Sequence, residues 1–130
     1  MVEVLSSRTL LHPTDVERSR AFYRDVVGLA VYREFNTGGG TYGTVFFLGG
    51  GFLELSGHSP TAPAAEPVQL WLQVPDIARA RAELAERGAV IAREPRREPW
   101  GLVEMWLQDP DGLWLCVVEV PEDHPIRSRG

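Results

Sequence analysis

Lysine, cysteine and histidine, which often carry covalent or acid–base chemistry, are absent or scarce in this sequence of 130 residues. All thirteen basic side chains are arginine, so Schiff-base chemistry and a lysine general base are excluded. One cysteine, Cys116, and three histidines, His12, His58 and His124, remain. His12 and His58 stand at predicted strand ends and His124 in a polar tail, so we expect surface histidines rather than a histidine-built site.

A motif that occurs twice indicates the elements that position these groups. Asp15 and Asp76 each precede apolar residues at helical spacing, and each helical pattern ends at a glycine, Gly28 and then Gly88. Aspartate is a favoured N-cap, and glycine is favoured just past a helix end. A period near half the chain length predicts one small unit used twice.

Extended segments fill the rest of the chain. The predicted strands are Ser6–His12, Leu29–Phe35, Tyr42–Leu48, Phe52–Ser56, Val68–Val74, Ala89–Arg93, Leu102–Gln108 and Trp114–Val120. This order predicts an α+β fold in which two βαβββ modules, 1–57 and 68–120, form a curved mixed sheet with a central cleft. Proline without periodicity predicts a linker at 58–67, and 121–130 is a polar C-terminal tail.

Charge and hydropathy exclude several functional classes. The net charge is −5, and no basic run is long enough to follow phosphates, so we expect no nucleic-acid partner. Arg93, Arg96 and Arg97 form the densest basic group, which we interpret as a solvated hairpin because Glu94 and Glu98 interrupt it. With no apolar run of roughly twenty residues, no signal-peptide pattern and one cysteine, we expect a cytoplasmic protein without a membrane partner.

The turn Asp109-Pro110-Asp111-Gly112 has proline and glycine where a tight turn needs them, so its carboxylates are interpreted as turn formers. Together with Pro99-Trp100-Gly101 and the run from Asp15 to Leu29 (DVERSRAFYRDVVGL), it resembles the vicinal-oxygen-chelate superfamily. That superfamily includes glyoxalase I, extradiol dioxygenases, fosfomycin-resistance enzymes and bleomycin-resistance binding proteins. The resemblance covers 6–120, implies one domain of that family, a small-molecule ligand and a homodimer, and does not distinguish among its members.

The resemblance also implies where a divalent metal would bind. Catalytic members use His or Gln on the first strand of each module and Glu on the last, and the matching positions here are Arg8, Glu54, Gln69 and Cys116. Only Glu54 is a good ligand for a hard cation, and the guanidinium of Arg8 has no acceptor. We therefore expect Arg8 to take the place of the metal, paired with Glu54, and expect no cofactor; a divalent metal is the alternative.

Strand alternation predicts the side chains that share a face with these four positions. The predicted ligand-binding residues are Arg8, Leu10, Phe52, Glu54, Gln69, Trp71, Trp100, Trp114 and Cys116. Trp100 resembles a residue that closes the pocket in several family members, and Trp106 is left unassigned. An aromatic groove with one cation suits a planar, partly anionic or amide-bearing ligand.

Three functions follow from these residues. The one we favour is a metal-free protein that sequesters an aromatic or anionic organic ligand, as antibiotic-resistance members do. The alternative is a metal-dependent glyoxalase I-like lyase or an oxygenase of the family, which would need His12, Glu54 or His58 as ligands. A third is a metal-free enzyme with Glu54 as base or Cys116 as nucleophile, although Arg8 should lower the pKa of Glu54. The sequence leaves open whether any reaction is catalysed.

Overall fold

The computed structural model of the chain describes residues 2–37, 41–57 and 68–124. The predicted linker at 58–67, with His58, and the last six residues of the predicted tail lie outside the described residues. The chain divides into two units, Met1–Pro63 and Ala64–Gly130.

The first unit is a four-stranded mixed sheet with a helical segment. Its elements are β1 (Arg8–Leu11), α1 (Val16–Ala21) continued by a π-helix (Phe22–Val27), β2 (Val31–Thr37), β3 (Thr41–Leu48) and β4 (Gly51–Leu55). The strand order is β1-β4-β3-β2, with β1 parallel to β4 and the other pairs antiparallel.

The second unit repeats that topology. Its elements are β5 (Gln69–Gln73), α2 (Ile77–Glu86), β6 (Ile91–Arg97), β7 (Val103–Gln108) and β8 (Trp114–Glu119). The order β5-β8-β7-β6, with β5 parallel to β8, matches the first sheet strand for strand. The predicted tandem βαβββ modules are confirmed, although β6 extends four residues beyond its predicted end.

Both predicted helix starts are confirmed. A carboxylate oxygen of Asp15 accepts a hydrogen bond from the backbone N–H of Arg18 at 3.1 Å, and Asp76 accepts one from Arg79 at the same distance. Each bond satisfies one of the backbone donors that a helix leaves unpaired in its first turn.

The π-helix accommodates a difference in length between the two copies. Gly28 follows its capping aspartate by thirteen residues, whereas Gly88 follows Asp76 by twelve. The additional residue widens the last turns, so that the N–H of Gly28 donates to the carbonyl of Tyr23, five residues earlier. Tyr23 is buried against the sheet, with its ring centroid 6.4 Å from that of Phe46.

Each sheet buries one face beneath its own helix. The fully or nearly fully buried apolar side chains of these faces are Tyr23, Phe46, Leu53 and Leu55 in the first unit and Leu70, Leu84, Met105, Leu107 and Leu115 in the second. Because side chains alternate along a strand, the neighbours of these residues lie on the opposite face. Among the described residues, neither helix is long and apolar enough to cross a bilayer.

The turn after β7 has the predicted role. One carboxylate oxygen of Asp109 accepts hydrogen bonds from the backbone N–H groups of Asp111 and Leu113, each at 2.9 Å. Gly112 has a φ of 88°, a backbone conformation that glycine adopts readily and other residues rarely adopt, which explains why glycine occupies this position.

The solvated hairpin predicted for Arg93, Arg96 and Arg97 is confirmed in part: β6 and β7 pair as an antiparallel hairpin and Arg96 and Arg97 are exposed, whereas Arg93 is half-buried. These residues lie in β6, and both Arg93 and Arg96 form ion pairs with Glu98, whose side chain is 4% exposed. A buried carboxylate requires partners, and these arginines supply them.

Gly43 is required by a close approach within the first sheet. A Cβ atom added there would clash with the far edge of the Phe35 ring, which lies opposite on β2. We expect Gly43→Ala to lower the free energy of unfolding by about 1–3 kcal/mol, the usual cost of overpacking. Urea denaturation measures this change. In a Phe35→Ala background the same substitution should cost almost nothing, and an equal cost in both backgrounds would contradict the proposed contact.

Candidate functional site

The face of the first sheet opposite its helix carries the predicted site residues in two adjacent rows. Arg8 pairs with Phe52, and Phe52 pairs with Phe47. In the next row Leu10 pairs with Glu54, which pairs with Val45. The predicted placement of Arg8, Leu10, Phe52 and Glu54 on one face is confirmed.

Both carboxylate oxygens of Glu54 accept hydrogen bonds. The Nη1 atom of Arg8 donates to Oε1 at 2.8 Å, and the hydroxyl of Ser56 donates to Oε2 at 2.8 Å. The Glu54 side chain is 13% exposed and that of Arg8 is 38% exposed. The Arg8 guanidinium also lies over the Phe52 ring, 5.7 Å from its centroid. The ion pair expected from the sequence is therefore present.

Opposing effects determine the pKa of Glu54. Burial is the largest single effect and raises the pKa, because it disfavours the charged form. Hydrogen bonds from Arg8 and Ser56, together with the charges of Arg8 and Arg33, outweigh burial and lower the pKa below its usual value. Glu54 is consequently a weak base, as expected.

A β-bulge adds residues to this face that the sequence analysis missed. Between the pairs Val31–Phe46 and Arg33–Val45, β2 contains one residue more than β3. Arg33 pairs with Val45 and so lies on the face opposite the helix, and the extra residue, Tyr32, is directed there as well.

Three rings form an aromatic cluster on this face: Tyr32, Phe47 and Phe52. Tyr32 stacks on Phe52 with ring centroids 4.9 Å apart and an interplanar angle of 29°. Phe47 contacts both rings, at 5.0 Å from Tyr32 and 5.7 Å from Phe52. The sequence analysis named neither Tyr32 nor Phe47; pairing across the predicted hairpin could have placed Phe47 opposite Phe52, but no local signal marked the bulge.

The corresponding face of the second sheet contains a pocket of about 310 Å³, named here the second-unit pocket. Its lining residues are Gln69, Ala92, Arg93, Trp106 and Trp114. Two of them, Gln69 and Trp114, were predicted ligand contacts, and they are partners across β5 and β8. The Trp106 and Trp114 rings meet edge to face, with centroids 6.1 Å apart.

Two other predicted tryptophans have different surroundings. Trp71 pairs with Cys116 and lies on the same face of the sheet, where it is 50% exposed. It does not belong to the described residues that line the pocket. Trp100 is 57% exposed, and its indole N–H donates to the buried carboxylate of Glu104 at 2.7 Å. The Nε2 atom of His124 lies 3.1 Å from the carbonyl oxygen of Trp100, so this residue of the C-terminal tail contacts the turn between β6 and β7.

Cys116 is a buried neutral thiol. It packs with Leu102, Val118 and Val120 beside Trp106. Burial, followed by the charge of Glu104 and a hydrogen bond to it, raises the pKa of Cys116 to about 12. The thiolate required of a nucleophile or a soft-metal ligand is therefore disfavoured.

The four family metal positions do not fit a divalent cation. Arg8 brings a positive charge, both oxygens of Glu54 accept hydrogen bonds, and Cys116 holds its proton. The Nδ1 atom of His12 contacts the backbone carbonyl of Ser56 at 2.7 Å, which removes one of its two possible ligand atoms. Within 2–37, 41–57 and 68–124, no three His, Cys, Asp or Glu side chains cluster in a way that could hold a metal ion.

Comparisons with known structures agree with this fold. SMU.1112c is 24% identical, with 92% of this chain and 100% of that chain covered and a TM-score of 0.78. TnmS3, an antibiotic binding protein from Streptomyces sp. CB03234, is 24% identical, with coverages of 93% and 99% and a TM-score of 0.77. A superfamily member from Sphaerobacter thermophilus DSM 20745 is 24% identical, with coverages of 92% and 98% and a TM-score of 0.67. At these identities the likeness shows the fold alone.

A search of curated proteins finds no significant match. The family model of the Glyoxalase/Bleomycin resistance protein/Dioxygenase superfamily matches residues 7–117, most of the chain. Its members include the vicinal-oxygen-chelate proteins that the first helix and the Asp109 turn resemble. The chain belongs to the Glyoxalase/Bleomycin resistance protein/Dioxygenase superfamily.

Proposed function

We propose that this protein sequesters a planar aromatic organic ligand without using a divalent metal. The observation that carries the proposal is that each carboxylate oxygen of Glu54 already accepts a hydrogen bond, one from Arg8 and one from Ser56. A metal ion bound to Glu54 would have to displace the Arg8 guanidinium, a cation that the polypeptide itself holds at this carboxylate. Such displacement leaves a guanidinium without its partner and brings two positive charges together.

Binding by this scaffold would depend on stacking and burial. The proposed contacts are Arg8, Leu10, Phe52 and Glu54 in the first unit and Gln69, Trp71, Trp100 and Trp114 in the second, where the pocket adds Ala92, Arg93 and Trp106. Cys116, also predicted from the sequence, is 3% exposed and is left out. Aromatic surfaces supply contact area and preferred stacking geometries without a reacting group. The similar fold of TnmS3, an antibiotic binding protein, supports a binding role.

Catalysis has less support from the side chains present. A glyoxalase-like lyase needs metal ligands, whereas Arg8, Gln69 and Cys116 supply a cation, one amide and a protonated thiol. General-base or thiol chemistry would rely on Glu54 and Cys116, whose pKa values are shifted in the unhelpful directions. The cytoplasmic location and the homodimer stay predictions.

We expect the purified protein to hold no stoichiometric divalent metal, because Arg8 competes for Glu54. The protein is incubated with excess Ni²⁺, Zn²⁺ and Mn²⁺, desalted and measured by inductively coupled plasma mass spectrometry. Glu54→Gln, which lacks the only carboxylate among the four family metal positions, supplies the background level. Wild-type protein should match that level; one additional ion per chain would overturn the proposal.

The Arg8–Glu54 pair also predicts a pH dependence of stability. Because the folded-state pKa of Glu54 is lowered, the ionised carboxylate favours folding at neutral pH. This contribution is lost as the pH falls from the ordinary glutamate pKa of about 4.3 through the folded-state value. Arg8→Met should raise the pKa of Glu54 and flatten the decline in the free energy of unfolding, measured by urea denaturation.

The matched control is Arg79→Met, which removes an arginine from an exposed ion pair with Glu83. That pair is exposed to solvent, so the control should retain the wild-type pH dependence. An Arg8→Met curve that falls as steeply as the wild-type curve would show that Arg8 does not set the charge state of Glu54.

Cys116 should resist thiol reagents in the native protein, because its pKa is about 12 and its side chain is buried. Reaction with 5,5′-dithiobis(2-nitrobenzoate) at pH 8 should be slow in buffer and rapid in denaturing urea. Rapid reaction of the folded protein would show that the Cys116 thiol is accessible and ionisable, and would make a nucleophilic role for Cys116 a candidate function again.

A further inference from the structure

The two units share a strand register around one bulge, although β6 has a second irregularity, between Arg93 and Arg96, that β2 lacks. The additional residue lies between Val31 and Arg33 in β2 and between Ile91 and Arg93 in β6. Tracing the pairs across each sheet makes Tyr32 equivalent to Ala92 and Arg33 equivalent to Arg93. It also makes Phe52 equivalent to Trp114 and Arg8 equivalent to Gln69.

This equivalence explains why the second unit has a pocket at this place. In the first unit the Tyr32 side chain covers the equivalent surface and stacks on Phe52. In the second unit alanine stands at that position, and Ala92 lines open space beside Trp114. The substitution of a methyl group for a phenol ring leaves the ring of Trp114 without the stacking partner that Phe52 has.

We propose that the second-unit pocket binds a neutral, phenol-sized or bicyclic aromatic group of the ligand, stacked on Trp114 in the way that Tyr32 stacks on Phe52. The proposal rests on the proposed function, since it names the place and class of the sequestered ligand. The volume of about 310 Å³ is at the lower end of the range for small-molecule pockets, which suits one or two fused rings.

The charges around the pocket favour a neutral ring over an anion. Arg93 is the pocket's only cationic lining residue, and it forms an ion pair with the buried carboxylate of Glu98. Its Nη2 atom donates to the backbone carbonyl of Glu104 at 3.0 Å. A second anion would compete with Glu98 for this guanidinium, whereas the Gln69 amide can serve the hydroxyl or carbonyl group of a neutral ligand.

The test compares two isosteric probes, 6-hydroxy-2-naphthamide and 6-hydroxy-2-naphthoate, at pH 7 by isothermal titration calorimetry. Ala92→Tyr places in the second unit the ring that the first unit already carries, and it should abolish binding of the amide. Trp114→Leu, which removes the stacking surface, should do the same. Tyr32→Ala is the reciprocal variant: it should keep the wild-type affinity of the Trp114 site for the amide, and any site that it opens on Phe52 would appear as additional stoichiometry. Thermal unfolding checks that each variant is folded.

Each contrary result is distinct. Binding that survives Ala92→Tyr but is lost in Tyr32→Ala would place the ring on the first sheet and overturn this inference, while leaving sequestration intact. Wild-type protein that binds neither probe would also overturn it, whereas the metal measurement decides the proposed function independently. Affinity for the naphthoate more than about tenfold above that for the amide would overturn the neutral class of ligand.

Discussion

The hydrogen bonds that Arg8 and Ser56 donate to Glu54 are the constraint on which the functional interpretation depends. Glu54 is the only carboxylate among the four family metal positions, and two donors of the protein already engage it. Glu54 is the shielded partner of the ion pair, with a side chain 13% exposed, whereas the Arg8 side chain is 38% exposed. At the position where catalytic members of the family bind a metal ion, the positive charge beside Glu54 comes from the Arg8 side chain.

The repeated register gives the two units the same framework and different surfaces. In the first unit the face opposite the helix is completed by its own side chains, with Tyr32 packed on Phe52 and Arg8 paired with Glu54. In the second unit smaller or neutral side chains, Ala92 and Gln69, stand at the equivalent positions and border a pocket. The strand order and the bulge before Arg33 and Arg93 are the same, so the difference at Tyr32 and Ala92 is one of side-chain size, although β6 has a second irregularity between Arg93 and Arg96.

The sequence predicted the framework well because its signals are local. Helix caps, terminal glycines and period-two alternation correctly placed both helices and the faces of Arg8, Glu54, Gln69 and Trp114. The unequal spacing from cap to glycine was also visible, although its accommodation as a π-helix was not. These features follow from backbone geometry and depend little on distant contacts.

The details of the site were harder to predict because they depend on contacts between strands. A bulge has no local signature in β2 or β6, so the roles of Tyr32 and Ala92 emerged only from the strand pairing. Arg93 belongs to a charge-rich stretch that is typical of a surface turn, and its partner Glu98 is buried only by tertiary packing. The high pKa of Cys116 likewise depends on Glu104, which lies on the neighbouring strand.

The most direct test of whether Arg8 takes the place of a metal ion is a crystal structure of the protein soaked in Ni²⁺, with anomalous data collected at the nickel edge. The account predicts density for the Arg8 guanidinium within hydrogen-bonding distance of Glu54 and no anomalous peak at that carboxylate. An anomalous peak bound to Glu54, with Arg8 turned away from it, would contradict the account.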